Sequence, residues 1–276
     1  MQRSQPITTL IAVAILFMAQ LGGCSAKPMS TTTMSFRDSQ LIVEQYADAS
    51  PKITIGLTGQ TPRTIEDLNA DASQGDALAH RLLGNAYWQG SNSSINGVNP
   101  FPQNRANALW YFERGAQLGD VPSGYYAGVC YELGAGVETD AKRALTYYQK
   151  AANAGFPPAH ADIGVFAIEG TAMERDTSLA AKHLKIAADA GINSAQFNLA
   201  LLLEVGDGVD ANPKAAADWF LIAANDGHAR AMVKLASLLI SGKGIEKDEL
   251  AARAWLELAL DAGEDSAQAH LDQLAG

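Results

Sequence analysis

Side chains with chemical reach are few in this chain, and they are scattered. The five histidines, His80, His160, His183, His228 and His270, form no cluster with each other or with cysteine. The two cysteines, Cys24 and Cys130, stand alone, without Cys-x-x-Cys or Cys/His ligand spacing. A structural metal site is therefore not expected, and Cys130 reads as a buried free thiol. No Gly-x-Ser-x-Gly elbow occurs and no serine has a base near it in sequence. Glycine-rich runs such as Gly134-Ala135-Gly136-Val137 could cradle phosphate, but no Gly-Lys-Ser/Thr follows them and no strand precedes them. Acid pairs such as Glu264-Asp265 read as helix N-terminal charges that complement the dipole. The expectation is a chain with no catalytic residues, no metal and no cofactor.

Stepping up to the whole chain, 276 residues of which 47% are hydrophobic can bury a large apolar area. The net charge of −10 argues against a nucleic-acid surface, which needs clustered Lys and Arg. It argues equally against electrostatic attachment to anionic lipid head groups.

Residues 1–24 carry one early cation, Arg3, and an apolar run from Ile7 to Ala19 that is short for a membrane span. Small residues then precede a cysteine, as Leu21-Gly22-Gly23-Cys24. This resembles the lipobox of bacterial lipoproteins. The resemblance implies cleavage after residue 23, acylation of Cys24 with palmitate-like chains, and export. Ser25, in place of an inner-membrane-retaining Asp, implies the periplasmic face of the outer membrane. A plain secretory signal or an uncleaved anchor is the alternative. Residues 25–35 are polar and aperiodic, as in a tether. Residues 36–49 are read as one amphipathic helix with Leu41, Ile42 and Tyr46 on one side, and Ile53-Thr54-Ile55 as locally extended.

From residue 64 onward the chain repeats. Gly119, Gly155, Gly191, Gly227 and Gly263 stand 36 residues apart, the mark of a solenoid. Four residues after each boundary glycine, and after Gly75, come Ala79, Ser123, Ala159, Ala195, Ala231 and Ala267. Eight after come Leu83, Ala127, Ile163, Leu199, Leu235 and Leu271, and nine after come Gly84, Gly128, Gly164, Ala200 and Ala236. These offsets share one helical face, with a small residue where two helices cross closely. Gly90, Gly134, Gly170, Gly206 and Gly242 should end that helix, and Asn104, Asp140, Asp176, Asn212 and Asp248 should cap the next. The second helix carries Tyr147, His183, Trp219 and Trp255 in one column. The first unit, Gly75 to Gly119, is eight residues longer, within 91–104.

The recurring pattern A-x-x-x-L-G-x-x-Y-x-x-G-x-G-V-x-x-D-x-x-K/R-A-x-x-Y/W-x-x-K-A-A-x-x-G resembles the Sel-one-like repeat, a relative of the tetratricopeptide repeat. That implies an all-α fold, a right-handed α-α superhelix of about five helix-turn-helix repeats with capping helices. The domain expectation is a signal peptide over 1–23, a lipidated cysteine, tether and irregular segment over 24–63, and the repeat solenoid over 64–276. Residues 64–74 and 264–276 read as edge helices.

The resemblance implies that the first helix of each repeat lines a concave face, with offsets near 6, 10 and 13 pointing inward. The candidate partner-binding residues there are Arg81, Asn85, Trp88, Tyr125, Glu132, Phe197 and Glu204, with Phe101 at the tip of the inserted loop. Such a surface suits an extended peptide or a partner helix. The expected function is a non-enzymatic, lipid-anchored periplasmic adaptor, with the membrane reached through Cys24. Alternatives are an exopolysaccharide or secretion-machinery lipoprotein, and a surface-displayed factor that binds a host protein. Activity on β-lactams, ascribed to cysteine-rich members of the repeat family, would need a cysteine pair per repeat, and this chain has none.

Overall fold

A computed structural model describes residues 39–44, 52–57, 63–90 and 102–275, with side chains over 63–90 and 102–274. The signal segment, Cys24, the tether and Phe101 with the rest of the loop 91–101 lie outside the described residues.

The first described segment corrects one expectation. Ser39–Glu44 is a strand (β1), not part of a helix, and it pairs antiparallel with Lys52–Leu57 (β2). Leu41 faces Ile55 and Ile42 faces Thr54 in the register, and β2 pairs in turn with Arg63–Thr64 (β3). The β-branched pair Ile42-Val43 favours a strand, and Ile53-Thr54-Ile55 supplies an extended partner, as expected for that stretch.

Twelve helices follow among the described residues, and the chain divides into two compact units. The first holds 34–166 with the loop 170–174; the second holds 175–276 with 167–169.

In the first unit, α1 (Ile65–Ser73) starts on a capping box in which Thr64 and Asp67 exchange side-chain and backbone bonds. Then come α2 (Ala77–Gln89), α3 (Arg105–Gln117), α4 (Val121–Leu133), α5 (Ala141–Asn153) and α6 (Pro157–Glu169), whose last three residues count with the second unit. The offset-four residues Ala79, Ser123 and Ala159 are fully buried. Gly84 and Gly128 take the rings of Phe112 and Tyr148 against their backbone: an added Cβ would lie 2.5 Å from Phe112 and 2.7 Å from Tyr148. Phe112 and Tyr148 are themselves wholly buried, so each helix pair locks by a ring over a glycine.

The second unit is built from α7 (Thr177–Asp189), α8 (Asn193–Val205), α9 (Pro213–Asn225), α10 (Ala229–Ser241), α11 (Glu249–Asp261) and α12 (Ser266–Ala275). Here alanine replaces glycine at offset nine. Ala200, Ala236, Phe220 and Leu256 are all fully buried in a core completed by Trp255, Leu235 and Met232. The expected caps form: Asn104, Asp140, Asp176, Asn212 and Asp248 each accept a hydrogen bond from the backbone N–H three residues on. Gly134, Gly170, Gly206 and Gly242 end their helices in the left-handed conformation.

The second glycine of each turn has a separate task. Gly208, at φ 73°, lies so near the start of α7 that an added Cβ would fall 2.3 Å from the Thr177 carbonyl carbon. Gly136 meets Ala106 of α3 in the same way, and Gly244 meets Pro213 of α9. These three turns thus rest on the first turn of the previous repeat's second helix, whereas the turn 170–173 carries Ala172 in place of the second glycine. Beside Gly208, Asp207 accepts from the Thr177 hydroxyl at 2.8 Å and pairs with Arg175 at 2.5 Å, which holds its carboxyl below the usual range.

Candidate functional site

The expected groove residues separate by burial. In α2, Asn85 is buried, and Trp88 is 9% exposed beneath the Arg105 guanidinium, 3.6 Å from the ring centroid. Arg81 is half-buried, with Nε 3.7 Å from the Asp120 carboxylate. In the second unit Phe197 is 4% exposed, stacked on His228 at 4.5 Å with Arg230 on its ring. His228 caps α10 through Nδ1, which accepts from the Ala231 N–H, and burial lowers its pKa. Glu204 pairs with Lys234 at 3.2 Å. Asn85, Trp88 and Phe197 therefore do packing work, while Arg81 and Glu204 reach the surface already paired.

Tyr125 and Glu132 behave differently, because the fold brings them together with two residues that the repeat columns did not single out. Tyr125 and Glu132 lie on α4, Tyr148 on α5 and Asp162 on α6. The Tyr148 hydroxyl donates to Glu132, and the Tyr125 hydroxyl is hydrogen-bonded to Asp162. The Tyr125 ring centroid lies 5.5 Å from that of Tyr148, 5.5 Å from Tyr126 and 5.1 Å from Phe156. Phe166 lies 5.8 Å from Tyr148 on the other side. Oδ2 of Asp162 is closed off from solvent and no hydrogen-bond donor meets it.

Burial and the neighbouring charge of Glu132 push the Asp162 carboxyl up to about 7. Burial also drives the Tyr125 and Tyr148 hydroxyls well above their ordinary value, so both remain donors. The cluster thus sets two acids among aromatic rings, with the donor missing at Asp162 Oδ2. One signal for Asp162 was present in the sequence: it stands between Ala161 and Ile163, two buried positions, where an acid needs a reason.

Nearby polar groups are better satisfied. Glu113 accepts from the hydroxyls of Tyr131 and Tyr147 and from Arg143, and the Arg143 guanidinium covers the Tyr131 ring at 4.2 Å. Cys130 is a buried free thiol, and burial raises it to about 12, far from thiolate reactivity. Among the described residues no group of three or more His, Cys, Asp or Glu is placed to hold a metal.

Helix pairs of constant length, ended by left-handed glycines and stacked turn on helix, define an all-α solenoid of protein-binding type. The Sel1 repeat family model matches residues 77–120, 125–156, 157–192, 193–228 and 229–264, and the chain belongs to that family. Each matched segment begins with one helix of the pair described above. Repeats of this family generally mediate contacts between proteins and are typically non-enzymatic scaffolds. Two solved structures are similar. One is a protective antigen of uropathogenic Escherichia coli with an SLR fold, at TM-score 0.69 and 29% identity, over 76% of this chain and 43% of that one. The other is a Sel1 repeat protein of Oxalobacter formigenes, at TM-score 0.67 and 25% identity, over 75% of this chain and 79% of that one. This chain thus spans less than half of the Escherichia coli protein. No curated protein matches.

Proposed function

We propose that this chain is a lipid-anchored adaptor of the bacterial envelope, whose repeats hold a protein or peptide and so assist assembly or regulation of an envelope complex. The observation that carries the reading is the run of five repeats that match a family whose members generally join proteins. A rigid helical frame presenting aromatic and charged side chains is what a protein interface requires. The anchor is supported by Leu21-Gly22-Gly23-Cys24 and by Ser25 after it, which favour the periplasmic face of the outer membrane. A photo-crosslinking residue at Arg81 or Glu204 is expected to trap one discrete partner in living cells. A smear identical to that from a position on the outer surface of α9, such as Asp218, would rule the adaptor out.

A second reading, surface display, is favoured by one comparison, since the similar Escherichia coli protein is a protective antigen. Protease added to intact cells separates the two: cleavage means display, and protection means a periplasmic address.

A further inference from the structure

The outer helices of the first unit carry charge opposite in sign to the chain as a whole, and this bears on the partner's chemistry, an inference that rests on the adaptor reading. The protein has 30 acids and 20 cations, yet α3 and α5 hold Arg105, Arg114, Lys142, Arg143 and Lys150 against a single acid, Glu113. In the second unit the corresponding helices lack this surplus: α7 has two cations and one acid, α9 one of each, and α11 one cation and three acids. Glu113 is already engaged, since it accepts from Tyr131, Tyr147 and Arg143, and these bonds tie α3 to α5. Asp140, at the start of α5, is engaged as its cap. Arg105 turns inward over the Trp88 ring. Arg114 and Lys150 stay exposed: Arg114 donates to the neutral Gln117 at 2.8 Å, and Lys150 stands 6.0 Å from the Tyr147 ring. Among the described residues neither is paired with a carboxylate. One turn before Arg114 stands Trp110, 54% exposed, with its ring edge-on to Tyr111 at 4.8 Å. Trp and Arg are the side chains on which interfaces concentrate their binding energy.

We propose that the outer face of α3 and α5 docks an acidic segment of a protein partner. Its carboxylates pair with Arg114 and Lys150, and an apolar side chain of the segment lies on Trp110. Charge complementarity selects this occupant, since a basic segment is repelled here. A bilayer presents its charge over an area wider than the patch, so it also meets the acids around it, which the net charge of −10 makes unfavourable. A second copy of the chain offers exposed acids too, Glu257 and Asp261 on α11, but it brings the same net charge and is repelled as a whole. A short acidic segment meets the cations alone.

The test titrates the full chain with a labelled, capped Glu-Leu-Glu-Glu-Leu-Glu peptide and with its Gln-Leu-Gln-Gln-Leu-Gln counterpart as the neutral match. The acidic peptide is expected to bind and the glutamine peptide not to. Arg114→Glu combined with Lys150→Glu should weaken the acidic peptide about tenfold or more, as two attractions become repulsions. Both side chains are exposed, so the helical circular-dichroism signal should be unchanged. Trp110→Ala should weaken the same peptide several-fold. Lys182→Glu with Lys214→Glu, an equal change of charge on exposed positions of the second unit, should leave binding within about twofold. Equal binding of the two peptides, or an equal loss in the Lys182 and Lys214 pair, overturns the patch. Displacement of the acidic peptide by phosphatidylglycerol vesicles but not by phosphatidylcholine vesicles would assign the face to lipid. Self-association that the Arg114 and Lys150 reversal abolishes would assign it to a second copy, and either result overturns the proposal. A partner crosslinked from Arg81 or Glu204 in equal yield with and without the reversal also overturns it and leaves the adaptor standing. Acidic peptide lost on reversal, with no partner trapped in cells, would sustain the patch and sink the adaptor.

Discussion

Gly124 and Gly128 stand one turn apart on α4, and their surroundings set opposite outcomes for the same substitution. A Cβ at Gly128 would fall 2.7 Å from the Tyr148 ring, which is wholly buried and cannot retreat. Gly128→Ala should therefore lose about 1–3 kcal/mol, the range for overpacking a tight core. A Cβ at Gly124 would meet only the Ala116 methyl, at an ordinary 3.6 Å. Gly124→Ala should gain about 0.5–1 kcal/mol from helix propensity, and urea denaturation of the pair reads the contrast. Asp162 gives a second residue-scale expectation. Folding raises its pKa to about 7, so the stability it confers belongs to the protonated form. That contribution is present below the unfolded carboxyl value of about 4 and is lost as pH climbs towards the folded value. Asp162→Asn, a permanent mimic of the acid form, should melt higher than wild type above pH 7. The gap between them should close as pH falls to about 4, and a constant gap across that range would mean that Asp162 stays ionised. Much of the repeat chemistry was legible at this scale, because five copies amplify each column. Ala79, Ala159, Ala195 and Ala231 could be assigned to the core for that reason, and all are fully buried. Asp162 was marked only by its two buried chain neighbours, since its meaning arises only when α4, α5 and α6 bring Tyr125, Glu132 and Tyr148 around it.

At the scale of the element, the turns carry more than their length suggests. Gly208 combines a positive φ of 73° with backbone of Thr177 and Ser178 inside 2.6 Å of any added Cβ. Gly155, at φ 79°, has nothing within 4 Å. The left-handed conformation alone costs an L residue about 1–2 kcal/mol, and Gly155→Ala should lose no more than that. Gly208→Ala must in addition push the turn off α7, so its loss should be roughly twice as large or more. Equal midpoints for the two variants in urea would show that the turn does not bear on α7. The column at offset 28 (Tyr147, His183, Trp219, Trp255) drew attention by its size, but the locking rings stand one place later. Phe112, Tyr148 and Phe220 are wholly buried, whereas Tyr147 and Trp219 are only half-buried and, of the aromatics in that column, Trp255 alone is buried. Adjacent aromatics leave the choice to the crossing angle of the helices, which pattern alone does not contain. The strand β1 was missed for a related reason. It occurs once, so no repetition reinforces its signal, and its partner β2 is remote enough that only pairing decides between strand and helix.

For the molecule as a whole, charge and the proposed anchor would pull in separate directions, and this makes the proposed envelope address testable without knowing the partner. With 30 acidic and 20 basic side chains the chain is repelled by anionic head groups, so electrostatics cannot hold it to a bilayer. Acyl chains on Cys24 would supply the attachment instead, at about 0.8 kcal/mol for each buried methylene. Hydrocarbon burial is not screened by salt, whereas any charge-mediated contact weakens as the Debye length shrinks to about 3 Å in 1 M salt. Membranes washed in 1 M salt should thus retain the wild-type chain, and detergent should release it. Cys24→Ser should appear in the soluble fraction at every salt concentration, with its helical circular-dichroism signal intact. Mass spectrometry of the membrane form should find residue 24 at the new N-terminus carrying the acyl mass. Release of the wild type by salt, or retention of Cys24→Ser on the membrane, would transfer the attachment from lipid to a partner protein, and the crosslinked species would then be its membrane receptor.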